Sequence, residues 1–163
     1  MVYIGIDVGV TGAIASIDVR GTVSIFDIPV NVQATQAMVK RTVDPRGVMS
    51  ILRTIVGADE VALVMMERIH TMPGSRNSPQ SGGSLMHSLG VIEAVLAIAR
   101  MPCVKVSPAK WKRDMGLMGA GKDASRELAI ALYPSAAHEL RLKKHHNRAD
   151  ALLLAEYARR AGR

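Results

Sequence analysis

The chain has 163 residues, of which 48% are hydrophobic and 21% charged, with a net charge of +7 and a single cysteine. That length and balance suit one globular domain with a substantial core, spanning residues 1–163, and Cys103 excludes an internal disulfide. No apolar run is expected to reach bilayer length and the N-terminus lacks a cleavable apolar segment. A cytoplasmic protein is therefore expected, and its basic balance favours a polyanionic partner.

Val2–Asp7 is a predicted strand, apolar enough to be buried on both faces. Gly9, Thr11 and Gly12 form a tight turn into a second strand, Ala13–Asp18, and Arg20-Gly21 turns the chain into a third, Thr22–Phe26. Asp44-Pro45 opens a helix to about Thr54, with Val48, Ile51, Leu52 and Ile55 on one face. Val61–Glu67 is a continuous apolar run of strand length, expected parallel to the first strand. A mobile loop is expected over Thr71–Gly83, and Ser84 is read as the cap of a helix to about Ala99. Cys103–Val106 is a strand, with Cys103 read as a small core residue. Ser107-Pro108 caps and opens a helix through Lys112. Gly116, Gly119 and Gly121 form a connector, Asp123 opens a helix ended by Pro134, and the last helix runs from about Asn147 to Arg160. A meander followed by alternating strands and helices implies an α/β fold, a mixed sheet with helices on both faces.

Three carboxylates stand out. Asp7 and Glu67 each end an apolar strand, and Asp150 falls in the first turn of an amphipathic helix. A charge beside a core is costly unless paired. A divalent cation pairs with several carboxylates at once, and Mg²⁺ prefers a few of them plus phosphate oxygens. The basic residues cluster as Arg141, Lys143, Lys144, Arg148, Arg159, Arg160 and Arg163, and as Lys105, Lys110, Lys112, Arg113 and Lys122. Carboxylates that cut and cations that grip suit metal-dependent chemistry on a phosphate backbone. Blander readings stand beside this one: Asn147 and Asp150 as a helix-capping pair, Glu67 paired with Arg68 or Arg76, and His145 and His146 as solvated members of the basic segment.

IGIDVGVTGAIA, ALVMMER, GVIEAVL, VKVSPAKWK, GKDASRELA and KKHHNRADALLLAEYARR follow in the order of RuvC-like Holliday-junction resolvases, and the chain most resembles the short phage and prophage versions. The resemblance implies an RNase H-like fold with a five-stranded sheet. It also implies a Mg²⁺- or Mn²⁺-dependent endonuclease, acting as a homodimer that nicks two opposed strands of a four-way or branched DNA. Asp7, Glu67 and Asp150 match three acidic positions of the family, while the position a turn before Asp150 holds Asn147 and His146 instead of a carboxylate. His146 is the preferred occupant, as ligand or general acid/base. Two ions about 4 Å apart would then clamp the scissile phosphate, with Asp7 bridging them.

Lys122 is the foremost phosphate-binding candidate, with Lys112, Arg68, Arg76, Lys143, Lys144 and Arg148 beside it. His70 occupies the place where bacterial members carry an aromatic wedge. Trp111 reads as a core or dimer-contact residue, and the Leu85–Leu96 stripe as core-facing on a helix that in the family helps build the dimer. Aromatics are 3% of residues, so charge and junction shape must outweigh stacking in binding. Competing expectations are an inactive junction-binding protein, motivated by the missing carboxylate at Asn147, and a phosphotransferase of the actin and sugar-kinase type, motivated by Asp7-x-Gly9. The latter type needs a second domain and a second phosphate-binding turn.

Overall fold

The computed structural model describes residues 1–34, 39–58, 60–69, 79–121 and 123–162. Among the described residues, seven strands and six α-helices follow in chain order. They are β1 (Val2–Asp7), β2 (Ala13–Asp18), β3 (Val23–Asp27), β4 (Val30–Ala34), β5 (Val39–Val43), α1 (Pro45–Ile55), β6 (Ala62–Glu67), α2 (Pro79–Ile98), β7 (Cys103–Val106), α3 (Pro108–Asp114), α4 (Ala124–Leu132), α5 (Ala137–Leu140) and α6 (His146–Ala161). Five strands form one sheet in the order β3-β2-β1-β6-β7, antiparallel through the meander and parallel across β1, β6 and β7. The mixed five-stranded sheet expected from the element order is therefore present. β4 and β5 form a separate two-stranded ribbon that the sequence pattern did not disclose; four of the five residues of β4 are exposed, so no buried face marks it.

Alternation along β1 assigns its two faces. Val2, Ile4 and Ile6 join Ala62, Val64 and Met66 in a core closed by Val48 and Leu52 of α1 and by Leu89, Ile92, Val95 and Leu96 of α2. The opposite face carries Tyr3, Leu63 and Met65 against α6, α3 and α4. α6 lies closest to the sheet, and Gly5 is why: a Cβ there would fall on the Ala151 carbonyl oxygen and the Ala155 amide nitrogen. The far end of α6 is held by Glu156, 2% exposed, which accepts from Tyr133 Oη (2.5 Å), Arg159 Nε (2.6 Å) and Arg160 Nε (2.8 Å). Burial alone would raise the Glu156 pKa, but these donors together outweigh it and bring it to about 2.

Local signals set most boundaries. Asp44 caps α1 by accepting from Arg46 N, with Pro45 opening the helix, and Ser107 with Pro108 does the same for α3. Two readings need correction. α2 begins at Pro79, not Ser84, because proline suits a helix's first position and the small residues after it fit the helix without hindrance; Cβ atoms at Gly82 and Gly83 would meet nothing. The rest of the expected loop, including Arg76, lies outside the described residues, as does His70 just before it. The same helix overturns the expectation of no bilayer-length apolar run. Ser81–Ile98 is long and apolar enough by length and composition, with mean hydropathy 1.3, although one of its faces packs on the sheet.

Gly5→Ala is expected to push α6 off β1 and cost about 2–4 kcal/mol, seen as a lower urea midpoint with a native-like circular dichroism spectrum.

Candidate active site

β1 and β6 run parallel in register up to Ile6 and Met66, so the next residues, Asp7 and Glu67, end neighbouring strands on the same face. Strands in a sheet lie about 4.8 Å apart, which brings the two carboxylates close together. That face is the one α6 covers, and Gly5, two residues before Asp7, lies under Ala151 and Leu154. One turn nearer the N-terminus of α6 is Asp150.

The arrangement shows in the proton affinity of Asp7. Its pKa is raised from 3.8 to about 7, first by burial, then by the charges of Asp150 and Glu67, with Lys112 pulling the other way. Asp150 Oδ1 is buried without a hydrogen-bond partner among the described residues. No three His, Cys, Asp or Glu side chains among the described residues converge as a ready-made cation cage. A cation that takes one or two carboxylates and completes its shell with substrate phosphate does not require one. An orphaned carboxylate oxygen beside two mutually repelling acids is a donor set that a divalent cation fits.

Around the acids the chain is tied down. The turn after Asp7 closes with Gly12 N donating to Gly9 O at 3.0 Å, and a Cβ on Gly12 would collide with the Asp7 carbonyl. The turn presents the Thr11 carbonyl to Asn147, whose Nδ2 donates to it at 2.6 Å. The capping reading of Asn147 and Asp150 is thereby corrected. α6 begins at His146, so Asn147 lies inside it with its side chain on another loop, and Asp150 lies in the second turn. His146, four residues before Asp150 and so on the same side of the helix, lines a cleft of about 550 Å³ with Asp150, Lys112, Lys143 and Ser125.

Glu67 is not paired with Arg68 among the described residues; it accepts from Trp111 Nε1 at 2.6 Å. Trp111 is fully buried, as its core reading anticipated, but the link to Glu67 has no sequence signal, since the two are 44 residues apart. Lys112 stands in the site itself, its Nζ 5.3 Å from the Trp111 ring centroid.

The basic residues separate into two groups. Arg68, Lys143 and Lys144 are exposed beside the site. Arg148, expected to hold DNA, instead donates to both Asp27 oxygens (2.6 and 2.7 Å) and to Glu139 O, fastening the start of α6 to the end of β3. Arg159 and Arg160 belong to Glu156, and Lys105 pairs with Glu93. Lys122 and Arg163 lie outside the described residues.

The raised Asp7 pKa favours the folded state when Asp7 is protonated. That contribution is whole below about pH 4 and lost as pH rises through about 7. In metal-free buffer, Asp7→Asn is therefore expected to be more stable than wild type by about 2 kcal/mol near pH 8, the gap closing by about pH 4, as read by urea unfolding across pH.

No protein-family model matches the chain. A 50-residue stretch, 30% of the chain, is 60% identical to the chloroplastic Holliday junction resolvase MOC1 of Chlamydomonas reinhardtii, and spans 6% of that protein's length. Among solved structures, Thermus thermophilus RuvC in complex with a Holliday junction substrate superposes with a TM-score of 0.61 at 16% identity, over 99% of this chain and 96% of that one. The fowlpox virus Holliday junction resolvase superposes with a TM-score of 0.54 at 13% identity, each chain fully covered. With its five-stranded mixed sheet, strand-end acids and covering helix α6, the chain is RuvC-like in fold.

Proposed function

We propose that the protein is a divalent-metal-dependent endonuclease that resolves four-way or branched DNA junctions by paired symmetric nicks, acting as a homodimer. The observation that carries this reading is that Asp7 and Glu67 end neighbouring strands on the face covered by α6, the helix that bears Asp150, with both acids near enough to Asp7 to help raise its pKa. The resolvase names of the relative and of the structural neighbours agree with it.

Asp7, Glu67 and Asp150 would hold Mg²⁺ or Mn²⁺, with His146 as the remaining ligand. When bound, such ions supply a water ionised near neutral pH and offset charge building on the scissile phosphate. The chain's own residues do the rest. Asp7 ends a strand paired on both sides, which fixes its backbone at the site. Lys112, beside Asp7, is placed to pair with a phosphate oxygen. Lys143, Lys144 and Arg68 would grip flanking phosphates, so affinity should fall steeply with salt. The tie from Asn147 to Thr11 gives that residue a structural task, and His146 lines the cleft with Asp150, which supports His146 as the remaining ligand.

The outer face of α2 supports the homodimer. Gly83, His87, Gly90, Ala94 and Ala97 are exposed at three- and four-residue spacing, and Met86 and Ile98 beside them are 42% and 74% exposed. A small-residue stripe on an apolar helix lets a second helix approach closely, and burying it is favourable by the usual area rule. A second copy of this chain meets it with the same stripe.

Two measurements test this. On a four-way DNA junction with Mg²⁺ or Mn²⁺, wild type is expected to make symmetric paired nicks, and Asp7→Asn to lose at least a thousandfold in rate, on the order expected for a metal ligand, while still binding the junction. Binding without cleavage by wild type in either metal would refute the nuclease. Gly90→Arg is expected to convert the dimer to a monomer by sedimentation, with the circular dichroism spectrum retained.

A further inference from the structure

Trp111 is the sole tryptophan of the chain, and none of it reaches solvent. A buried indole N–H needs an acceptor. Nothing in that need demands a carboxyl group of the site, yet Nε1 donates to Glu67 Oε1 at 2.6 Å. An indole nitrogen only donates, so this bond fixes one of the two Glu67 carboxyl oxygens as its acceptor.

The donor is itself immobile. Its ring belongs to the core with Met65, Val106 and Met115. Its helix starts directly from β7 through the Ser107 cap, and β7 pairs with the strand that carries Glu67, Val106 opposite Glu67 and Arg68 N donating to Val106 O at 2.7 Å. Donor and acceptor thus stand on neighbouring rigid elements with no intervening loop between β7 and α3. A glutamate has several freely rotating bonds, and the repulsion between Glu67 and Asp7 would turn its carboxylate away from the site. The Trp111 bond opposes that rotation and leaves Oε2 for the ion.

We infer that Trp111 is a positioning residue for metal binding, holding the Glu67 carboxylate in its ligating orientation through the indole N–H. This rests on the reading above that Glu67 is a metal ligand. Groups that orient a ligand in this way change metal affinity by about 10- to 100-fold when removed.

The experiment has two arms. In the first, Mn²⁺ is titrated into wild type and Glu67→Gln, and the emission of Trp111 is followed. A saturable change in wild type that Glu67→Gln lacks is expected; no change in wild type would overturn the metal reading of the site itself. In the second, Trp111→Phe keeps an aromatic ring and removes the N–H, and free Mn²⁺ is counted by electron paramagnetic resonance alongside junction cleavage. The half-saturating Mn²⁺ concentration is expected to rise about tenfold or more, with cleavage recovering to within a few-fold of wild type at saturating Mn²⁺. An unchanged half-saturation in a protein whose wild type responds, or an equal loss of rate at every Mn²⁺ concentration, would overturn the inference and leave Trp111 a core residue. Should Trp111→Phe fail to fold, 3-benzothienylalanine at position 111, which keeps the bicyclic shape and replaces N–H by sulfur, is read by the same criteria.

Discussion

Three carboxylates held together at the edge of a core repel one another, and the structure around them is organised to withstand that repulsion. Like charges gathered in a partly desolvated site repel one another strongly enough to turn away a side chain that is free to rotate. None of the three is free in that sense. Asp7 is pinned between β2 and β6, Glu67 is bonded by Trp111, and Asp150 is carried by a helix pressed onto the sheet at Gly5. The start of that helix is tied twice more, by Asn147 to Thr11 and by Arg148 to Asp27. The scaffold thereby keeps an unfavourable charge arrangement in place, one that a cation would neutralise if the proposed function holds.

The basic residues divide by the same logic. A net charge of +7 suggests a broad polyanion-binding surface. Yet several of the cations are internal fasteners: Arg148 on Asp27, Arg159 and Arg160 on buried Glu156, Lys110 on Asp114 at 2.8 Å. Lys112 and Lys143 line the cleft with Asp150, and exposed Arg68 follows Glu67 in the chain, so on the proposed function the positive field a phosphate backbone would meet is focused near the acids.

α2 shows how one helix serves two surfaces. Leu89, Ile92, Val95 and Leu96 complete the core beneath β1 and β6, while the opposite side is glycine, alanine and small polar residues. Apolar character all round is what gives the helix a hydropathy that would suit a membrane span. In this fold one side is accounted for by the core, and the other by the homodimer contact of the proposed function.

The sequence by itself determined the elements and their ends. Apolar runs of strand length, the Asp44-Pro45 and Ser107-Pro108 starts and the Gly9–Gly12 turn are local signals whose physics acts within a few residues, and Asp7 and Glu67 were legible because a charge ending an apolar strand is costly in any context. Where the signal was not local, the sequence was silent or misleading. The β4–β5 ribbon has no buried face to leave a pattern, and the start of α2 is glycine- and serine-rich like a loop. Asn147 read as a cap and Arg148 as a DNA contact until tertiary structure placed Thr11 and Asp27 against them. Only the fold could decide that Trp111 meets Glu67, that Gly5 admits α6, and that Asp150 joins two acids far from it in the chain. Those contacts join segments brought together by sheet order and helix packing, and no spacing along the chain encodes them.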